Sequence, residues 1–240
     1  RGCLETLISS RALVREAHAR RLPVLLDDQL LTLGAGATSR SFELAQLPSV
    51  ADVAWQGLQS VPTALVTGSN GKTTTVRLVA ACAQAAGRRP GYCCTDGVFV
   101  GGTLLETGDY SGPAGARRVL RDPAVDAAVL ETARGGILRR GLATTRADVA
   151  VVTNVSADHF GEYGIHDLDA LADTKLTIGS LVGPDGVLVL NGSVFGAGVG
   201  LFLTSSWALA NRLAPAGEAG KYLGLTNLAT AGAGALARLE

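Results

Sequence analysis

The sequence of 240 residues has no excess of charge of either sign, because 21 lysine and arginine residues balance 21 aspartate and glutamate residues. A balanced charge gives no electrostatic reason to expect a nucleic acid or a membrane surface as partner. The sequence also lacks a run of roughly 20 apolar residues, which a membrane helix needs, and a charged start that leads into an apolar segment. These absences favour a soluble cytoplasmic protein.

Cysteine is scarce, with 4 residues, and two of these, Cys93 and Cys94, are adjacent. Adjacent cysteines neither form an ordinary unstrained disulfide framework nor supply the spaced ligands of a metal site. This pattern favours a reducing compartment, in agreement with the cytoplasm. The chain is long enough for one large α/β domain or for a core domain with a small appendage.

The rhythm of apolar residues changes near residue 60. Residues 1–60 contain a charged helix over about 4–20, a short apolar strand at 23–26 and polar turns over about 33–41. After that point, apolar runs alternate with helical segments, which is typical of βαβ units and a largely parallel sheet. We therefore predict an α/β fold, with a mostly parallel sheet flanked by helices over residues 61–240 and a small N-terminal α/β module over residues 1–60.

The strands of the large sheet are predicted from almost unbroken apolar runs, as expected for strands that are covered on both faces. Helical segments lie between these runs. Two glycines at 101–102, between two short apolar runs, predict a two-residue hairpin turn that projects from the sheet. The predicted strands cover residues 63–67, 91–94, 126–131, 148–153 and 187–190, and the predicted helices cover about 73–86, 113–121 and 167–182.

A glycine-rich segment follows the first of these strands and opens the first helix. It reads Gly68-Ser69-Asn70-Gly71-Lys72-Thr73-Thr74. Glycines allow backbone N–H groups to converge on phosphate oxygens, Lys72 supplies a cation to the β- and γ-phosphates, and the Thr73 hydroxyl can bind Mg²⁺. The segment predicts a phosphate loop for ATP. The alternative is a glycine-rich turn with a solvated lysine.

Glu131 ends the apolar run of residues 127–130, so it is expected at the carboxyl edge of the parallel sheet. Ligands bind at this edge in open α/β sheets, and a carboxylate there can hold Mg²⁺ against a triphosphate. The alternative is an ordinary surface ion pair with a nearby arginine, which would be Arg134, Arg139 or Arg140.

His159 and Lys175 extend this pattern. His159 follows the next strand in the run Asn154-Val-Ser-Ala-Asp-His159 and is one of only 3 histidines, so it is a candidate ligand of a second metal ion. A histidine that is hydrogen-bonded in a loop is the alternative. Lys175 lies in the predicted helix after His159, where the alternative is a lysine whose stem lies along an apolar helix face while its charge reaches water.

In order and approximate spacing, these four segments resemble the central ATPase domain of the Mur ligase superfamily, over about residues 62–191. Residues 108–123 and 131–139 are also similar to the ligase half of cyanophycin synthetases. The resemblance implies a P-loop NTPase-like central domain. We expect this chain to lack both the C-terminal domain of the superfamily and the ATP-grasp domain of those synthetases.

The resemblance also implies roles for particular residues. Lys72 would bind phosphate, Thr73 and Glu131 would bind one Mg²⁺, and His159 would bind a second metal ion. Lys175 matches a lysine that is often carbamylated in the family, a change that turns a cation into a carboxylate-like group. An ammonium close to two metal ions would repel them, so this modification makes electrostatic sense.

The remaining implied contacts concern adenine and the acid substrate. Asn227 matches an asparagine that approaches adenine, although the spacing around it departs from the family by about one residue. Thr95, Asp96 and Arg134 are implied to contact the carboxylate substrate. The oligomeric state is left open.

The function implied is that of an ATP-dependent amide ligase. A carboxylate, for example of an acidic peptide, would attack the γ-phosphate of ATP, and an amine would then attack the acyl phosphate. One alternative is a nucleotide-binding module without turnover of its own. The other is a P-loop kinase of a small metabolite, which the short spacing of the loop disfavours.

Overall fold

The computed structural model describes residues 3–156 and 160–191. Its N-terminal part consists of helix α1 (Cys3–Ala19) and an antiparallel sheet of strands β1 (Val24–Leu26), β2 (Leu30–Leu33) and β3 (Arg40–Glu43), in that order. The predicted helix and the predicted first strand agree with this arrangement. Strands β2 and β3 were not predicted, and they overlap the ends of the segment predicted as polar turns. Strand β3 exposes most of its residues and therefore lacks the apolar signal of a strand, whereas β2 is a short buried apolar run that the prediction overlooked.

The main part of the chain forms a seven-stranded sheet in the order β10-β9-β4-β8-β5-β6-β7. The pairs from β10 to β5 are parallel, and β5, β6 and β7 pair antiparallel. The predicted mostly parallel sheet is therefore confirmed. The strands are β4 (Thr63–Thr67), β5 (Pro90–Cys94), β6 (Gly97–Val100), β7 (Thr103–Thr107), β8 (Ala127–Glu131), β9 (Ala147–Val152) and β10 (Val182–Leu190).

Within the described residues, four α-helices accompany this sheet, namely α2 (Lys72–Ala85), α3 (Pro113–Leu120), α4 (Arg134–Arg140) and α5 (Leu168–Leu176). Helix α4 was not predicted, because its two glycines lower its intrinsic helix propensity. The last predicted helix was too long, since a 3₁₀ turn (Thr177–Leu181) follows α5 and β10 begins at once.

The predicted hairpin is confirmed between β6 and β7. Gly101 and Gly102 form its turn with φ of 56° and 83°, which both lie in the left-handed region. Glycine adopts such conformations without strain, and two of them in succession match the twist of the strands. A second tight turn, at Thr95 and Asp96, joins β5 to β6.

Apolar side chains cover both faces of the large sheet. Leu65 and Leu130 belong to the core on one face. Val66 and Val129 belong to the core on the other face, together with Val76 of α2. Because consecutive strand residues point to opposite faces, β4 and β8 are buried on both sides, which explains their unbroken apolar runs.

The N-terminal part packs against this sheet while keeping a core of its own. Leu13, Leu31 and Trp55 belong to that separate core. At the turn between β1 and β2, Asp27 accepts a hydrogen bond of 2.6 Å from Arg121, which directly follows α3. Among the described residues, no helix is both long enough and apolar enough to cross a membrane.

Candidate active site

The carboxyl ends of three neighbouring strands meet in the middle of the large sheet. Val66 of β4 lies opposite Glu131 of β8, and Thr67 of β4 lies opposite Val152 of β9. The chain leaves β4 towards β5 on one side and later reaches β9 on the other side. Open parallel sheets bind ligands in the crevice at such a switch point. The predicted phosphate loop and Glu131 therefore both lie at the carboxyl ends of these central strands.

Two glycines determine the shape of the loop between β4 and α2. Gly71, directly before α2, has a φ of 79°, a left-handed conformation that favours glycine. Gly68 has a φ of 147°, and a Cβ atom at this position would overlap the side-chain oxygen of Thr153. A larger residue at position 68 would therefore force the two segments apart.

The segment after β9 holds this loop in place. The N–H of Ser69 donates to the carbonyl of Asn154 over 3.0 Å, and the N–H of Asn70 donates to Asn154 Oδ1 over 2.8 Å. Thr153 Oγ1 donates to the carbonyl of Asn70 over 2.6 Å. The amides of Ser69 and Asn70 thus shape the loop. Thr153 and Asn154 were not predicted as site residues, although Asn154 begins the run that ends at His159 and Thr153 directly precedes it.

The start of α2 offers donors for an anion. The first backbone bond of this helix runs from Thr75 N to the carbonyl of Gly71, so the amides of residues 72–74 have no acceptor within the helix. Such amides, with the helix dipole, bind phosphate groups. The Lys72 ammonium lies over the same loop, where it donates to the carbonyls of Gly68 and Ser69 over 3.0 and 3.1 Å.

Thr73 joins this loop to the buried carboxylate of β8. Its hydroxyl donates to Glu131 Oε2 over 2.8 Å and lies 3.0 Å from the hydroxyl of Thr95. The Glu131 side chain is only 1% exposed. Within the described part of the chain, Glu131 Oε1 and the nearby Thr67 Oγ1 are buried and have no hydrogen-bond partner.

The electrostatic environment of Glu131 favours the binding of a cation. Burial raises the pKa of Glu131, against the hydrogen bond from Thr73, the positive charge of Lys72 and the backbone amide of Thr95. A buried carboxylate oxygen without a donor is costly, and a cation would remove that cost. In residues 3–156 and 160–191, no group of three histidine, cysteine or acidic side chains could hold a metal ion. Mg²⁺ needs only one or two carboxylates when phosphates and waters complete its shell.

Arg134 follows three residues after Glu131 and forms an ion pair with a different carboxylate. Its side chain is 10% exposed and donates to Glu162, on the loop after β9, over 2.7 Å. Arg139 lies 5.5 Å from the ring centre of Tyr163 on the same loop. Because Glu131 itself is 1% exposed, an ordinary surface ion pair with Arg134, Arg139 or Arg140 does not describe its environment.

The two residues of the turn between β5 and β6 face different neighbours. Thr95 contacts Thr73 and Glu131, as described above. The exposed Asp96 forms an ion pair of 2.7 Å with Arg77 of α2. The structure brings Thr95 to Thr73 and Glu131, whereas Asp96 pairs with the exposed surface of α2.

Lys175 lies in the last turn of α5 and is 3% exposed, so its charge does not extend into water. A lysine that is buried to this extent needs polar partners, and Lys175 does make polar contact within the protein. The other two predicted ligands, His159 and Asn227, lie outside the described residues.

The two segments that resemble cyanophycin synthetases pack against each other. The N–H of Ala133 donates to the carbonyl of Ser111 over 2.7 Å. A Cβ atom on Gly136 would lie 3.2 Å from the Cα of Gly112, so glycine at 136 allows α4 to approach the segment before α3 closely. This contact holds the start of α4, where Arg134 lies, against the segment before α3.

Comparisons with known proteins agree with the resemblance predicted from the sequence. A family model described as the Mur ligase middle domain matches residues 66–194. Cyanophycin synthetase from Trichormus variabilis is 49% identical over 145 residues, which are 60% of this chain and 16% of that protein. UDP-N-acetylmuramoylalanine–D-glutamate ligase from Oleidesulfovibrio alaskensis is 36% identical over 130 residues, which are 54% of this chain and 26% of that protein.

A solved structure of UDP-N-acetylmuramoyl-L-alanyl-D-glutamate–2,6-diaminopimelate ligase is 26% identical, with a TM-score of 0.47, and the match covers 62% of this chain and 30% of that one. The chain spans about a sixth to a quarter of the length of the two curated relatives above, at 16% and 26%. The predicted resemblance to Mur ligases and cyanophycin synthetases is confirmed.

Proposed function

The chain belongs to the Mur ligase family through its middle domain, and from this membership we propose that it supplies the ATP site of an amide ligase. In this proposal, ATP phosphorylates a carboxylate substrate, and an amine then displaces the phosphate to form an amide. The names of the relatives, cyanophycin synthetase and two Mur-type ligases, support this reaction class.

The observation that carries the proposal is the hydrogen bond between Thr73 and Glu131. It joins the end of β8 to the start of α2, directly beside the Lys72 ammonium and the unpaired helix amides. Acidic, hydroxyl and cationic groups thus meet at one switch point of a parallel sheet. A simple glycine-rich turn with a solvated lysine would require neither a buried glutamate nor a second loop that fixes its geometry.

We propose that Mg²⁺ binds to Thr73 Oγ1 and to Glu131, whose buried Oε1 has no other partner among the described residues. When bound, Mg²⁺ would neutralise charge that develops on the phosphates during transfer. Lys72 would exchange its two carbonyl contacts for the β- and γ-phosphates. The amides of residues 72–74 would orient these phosphates, and Gly68 would let the loop stay close to Thr153.

The remaining roles belong to the same proposal. Arg134 would bind the substrate carboxylate, with Thr95 and Asp96 nearby, and Asn227 would approach adenine. His159 would bind a second metal ion. Lys175, which is buried at 3% exposure, would act in its carbamylated form, since a negative group suits a metal-rich site better than an ammonium does.

Catalysis in this proposal needs no protein nucleophile. The substrate carboxylate oxygen attacks the γ-phosphorus of ATP, ADP leaves, and the nitrogen of the amine then attacks the acyl carbon, so that phosphate leaves. The protein holds the reacting groups in line and balances charge, which are the main sources of rate in phosphoryl transfer.

The test is phosphate release from ATP by the natural full-length protein, in a screen of amino acids and acidic peptides. A ligase releases phosphate only when both a carboxylate and an amine are present. A kinase yields a stable phosphorylated product without an amine, and a binding module binds ATP without turnover. The control is Lys72→Ala, and phosphate release that survives this change unaltered would show that the phosphate loop is assigned wrongly.

A further inference from the structure

The ion pair of Arg134 and Glu162 joins a buried partner to an exposed one. The Arg134 side chain is 10% exposed and the Glu162 side chain 58% exposed, at a distance of 2.7 Å. Arg134 is the first residue of α4, three residues after the proposed Mg²⁺ ligand Glu131. The guanidinium at the start of α4 is thus covered by a carboxylate that reaches it from the solvent side.

Helix α4 packs closely against the segment before α3, and the loop that contains Glu162 contacts α4 through two side chains. The close contact between Gly136 and Gly112 and the bond from Ala133 to Ser111 hold α4 against the segment before α3. The loop contacts α4 through Glu162 and through Tyr163, whose ring lies below Arg139. Tyr163 has a φ of 54°, a left-handed conformation that is uncommon for an aromatic residue and costs energy.

We propose that Arg134 is the receptor for the carboxylate of the acid substrate and that Glu162 occupies this receptor until the substrate arrives. The inference rests on the proposed function and adds a residue that sets the affinity for the acid. Exchange of one carboxylate for another keeps the largely buried guanidinium in an ion pair throughout, which avoids the cost of removing one partner of such a pair. The released Glu162 side chain enters water easily because it is already largely exposed.

An internal competitor lowers the apparent affinity for the substrate, because only the fraction of protein with an unoccupied receptor can bind it. Ion pairs with an exposed partner contribute up to about 1 kcal/mol, which corresponds to a roughly fivefold change in an equilibrium. Replacement of Glu162 by the uncharged Gln is therefore expected to strengthen binding of a carboxylate ligand about fivefold.

The experiment is a calorimetric titration of triaspartate into the full-length protein, with Mg²⁺ and a non-hydrolysable ATP analogue already bound. The variants are Glu162→Gln and Arg134→Gln, and the neutral probe is triasparagine. Glu16→Gln is the matched control, because Glu16 of α1 forms a pair of 2.8 Å with Arg20, directly after the end of that helix in the N-terminal part of the chain.

We expect Glu162→Gln to bind triaspartate about fivefold more tightly than the unmodified protein, and Glu16→Gln to bind it with unchanged affinity. We expect Arg134→Gln not to bind triaspartate, and none of the proteins to bind triasparagine. The proposal would be overturned if Glu162→Gln bound triaspartate no more tightly than the unmodified protein does. It would also be overturned if neither protein bound triaspartate measurably. The analogue is titrated first, so failure of the proposed ATP site appears in that first step and not in the second.

Discussion

Asp27 gives a prediction about how the N-terminal part is held on the large sheet. Burial opposes ionisation of Asp27, but the amides of Gln29 and Leu30 and the guanidinium of Arg121 outweigh it and lower its pKa from 3.8 to about 2. At about 1.4 kcal/mol per pKa unit, this difference stabilises the folded state by roughly 2 kcal/mol.

The sign of the pH dependence follows from this depressed pKa. The folded state holds the Asp27 proton less tightly than the unfolded state, so the stabilisation is complete above pH 4 to 5. It is lost as the pH falls from 3.8 towards about 2. The substitution Asp27→Asn keeps the shape of the side chain but removes the titrating charge.

The assay is urea unfolding of the unmodified protein and of Asp27→Asn between pH 7 and pH 2.5. Both proteins carry Trp207→Phe, so that the fluorescence comes from Trp55 alone, which is buried in the N-terminal core and reports on this part of the chain. We expect the difference in free energy of unfolding between the two proteins to shrink by up to about 2 kcal/mol across this range. The control is Asp28→Asn at the exposed neighbouring position. A difference that stays constant down to pH 2.5 would refute the reasoning.

Three further predictions concern the crevice. Glu131→Gln is expected to raise the melting temperature of the nucleotide-free protein, because burial raises the pKa of Glu131 and thus penalises its charge. The same substitution is expected to abolish Mg²⁺-dependent phosphate release. A lower melting temperature would contradict this reasoning. Gly68→Ala is expected to weaken ATP binding at least tenfold in calorimetry, because the added Cβ overlaps Thr153; an unchanged affinity would show that the loop adapts. Asn154→Ala removes the acceptor of the Asn70 amide, so we expect ATP binding about fivefold weaker, whereas Val155→Ala should leave it unchanged.

The elements that the sequence predicts best are those whose local pattern and tertiary environment agree. Strands β4, β8 and β9 are buried on both faces, and their unbroken apolar runs show this directly. The hairpin turn needs two left-handed residues, and Gly101-Gly102 provides them. The phosphate loop and Glu131 also follow from sequence, because glycine-rich turns and strand-end carboxylates meet at one edge of a parallel sheet.

Other features depend on contacts that no local pattern encodes. Helix α4 contains Gly135 and Gly136, which disfavour a helix in isolation, and close packing against Gly112 explains why one of them is there. The role of Asn154 depends on the pairing of β4 with β9, which brings residues 84 positions apart into hydrogen-bond contact. The exchange partner Glu162 shows no signal in the sequence, since surface glutamates are common.

The bond between Asn70 and Asn154 has a consequence for the order of events during folding. Until β9 has docked beside β4, the loop before α2 lacks the acceptors that give it its shape. A partly folded chain should therefore capture no ATP, and ATP should stabilise only molecules in which the whole sheet is assembled. A higher concentration of nucleotide would then protect fully folded molecules from proteolysis and leave partly folded molecules unprotected.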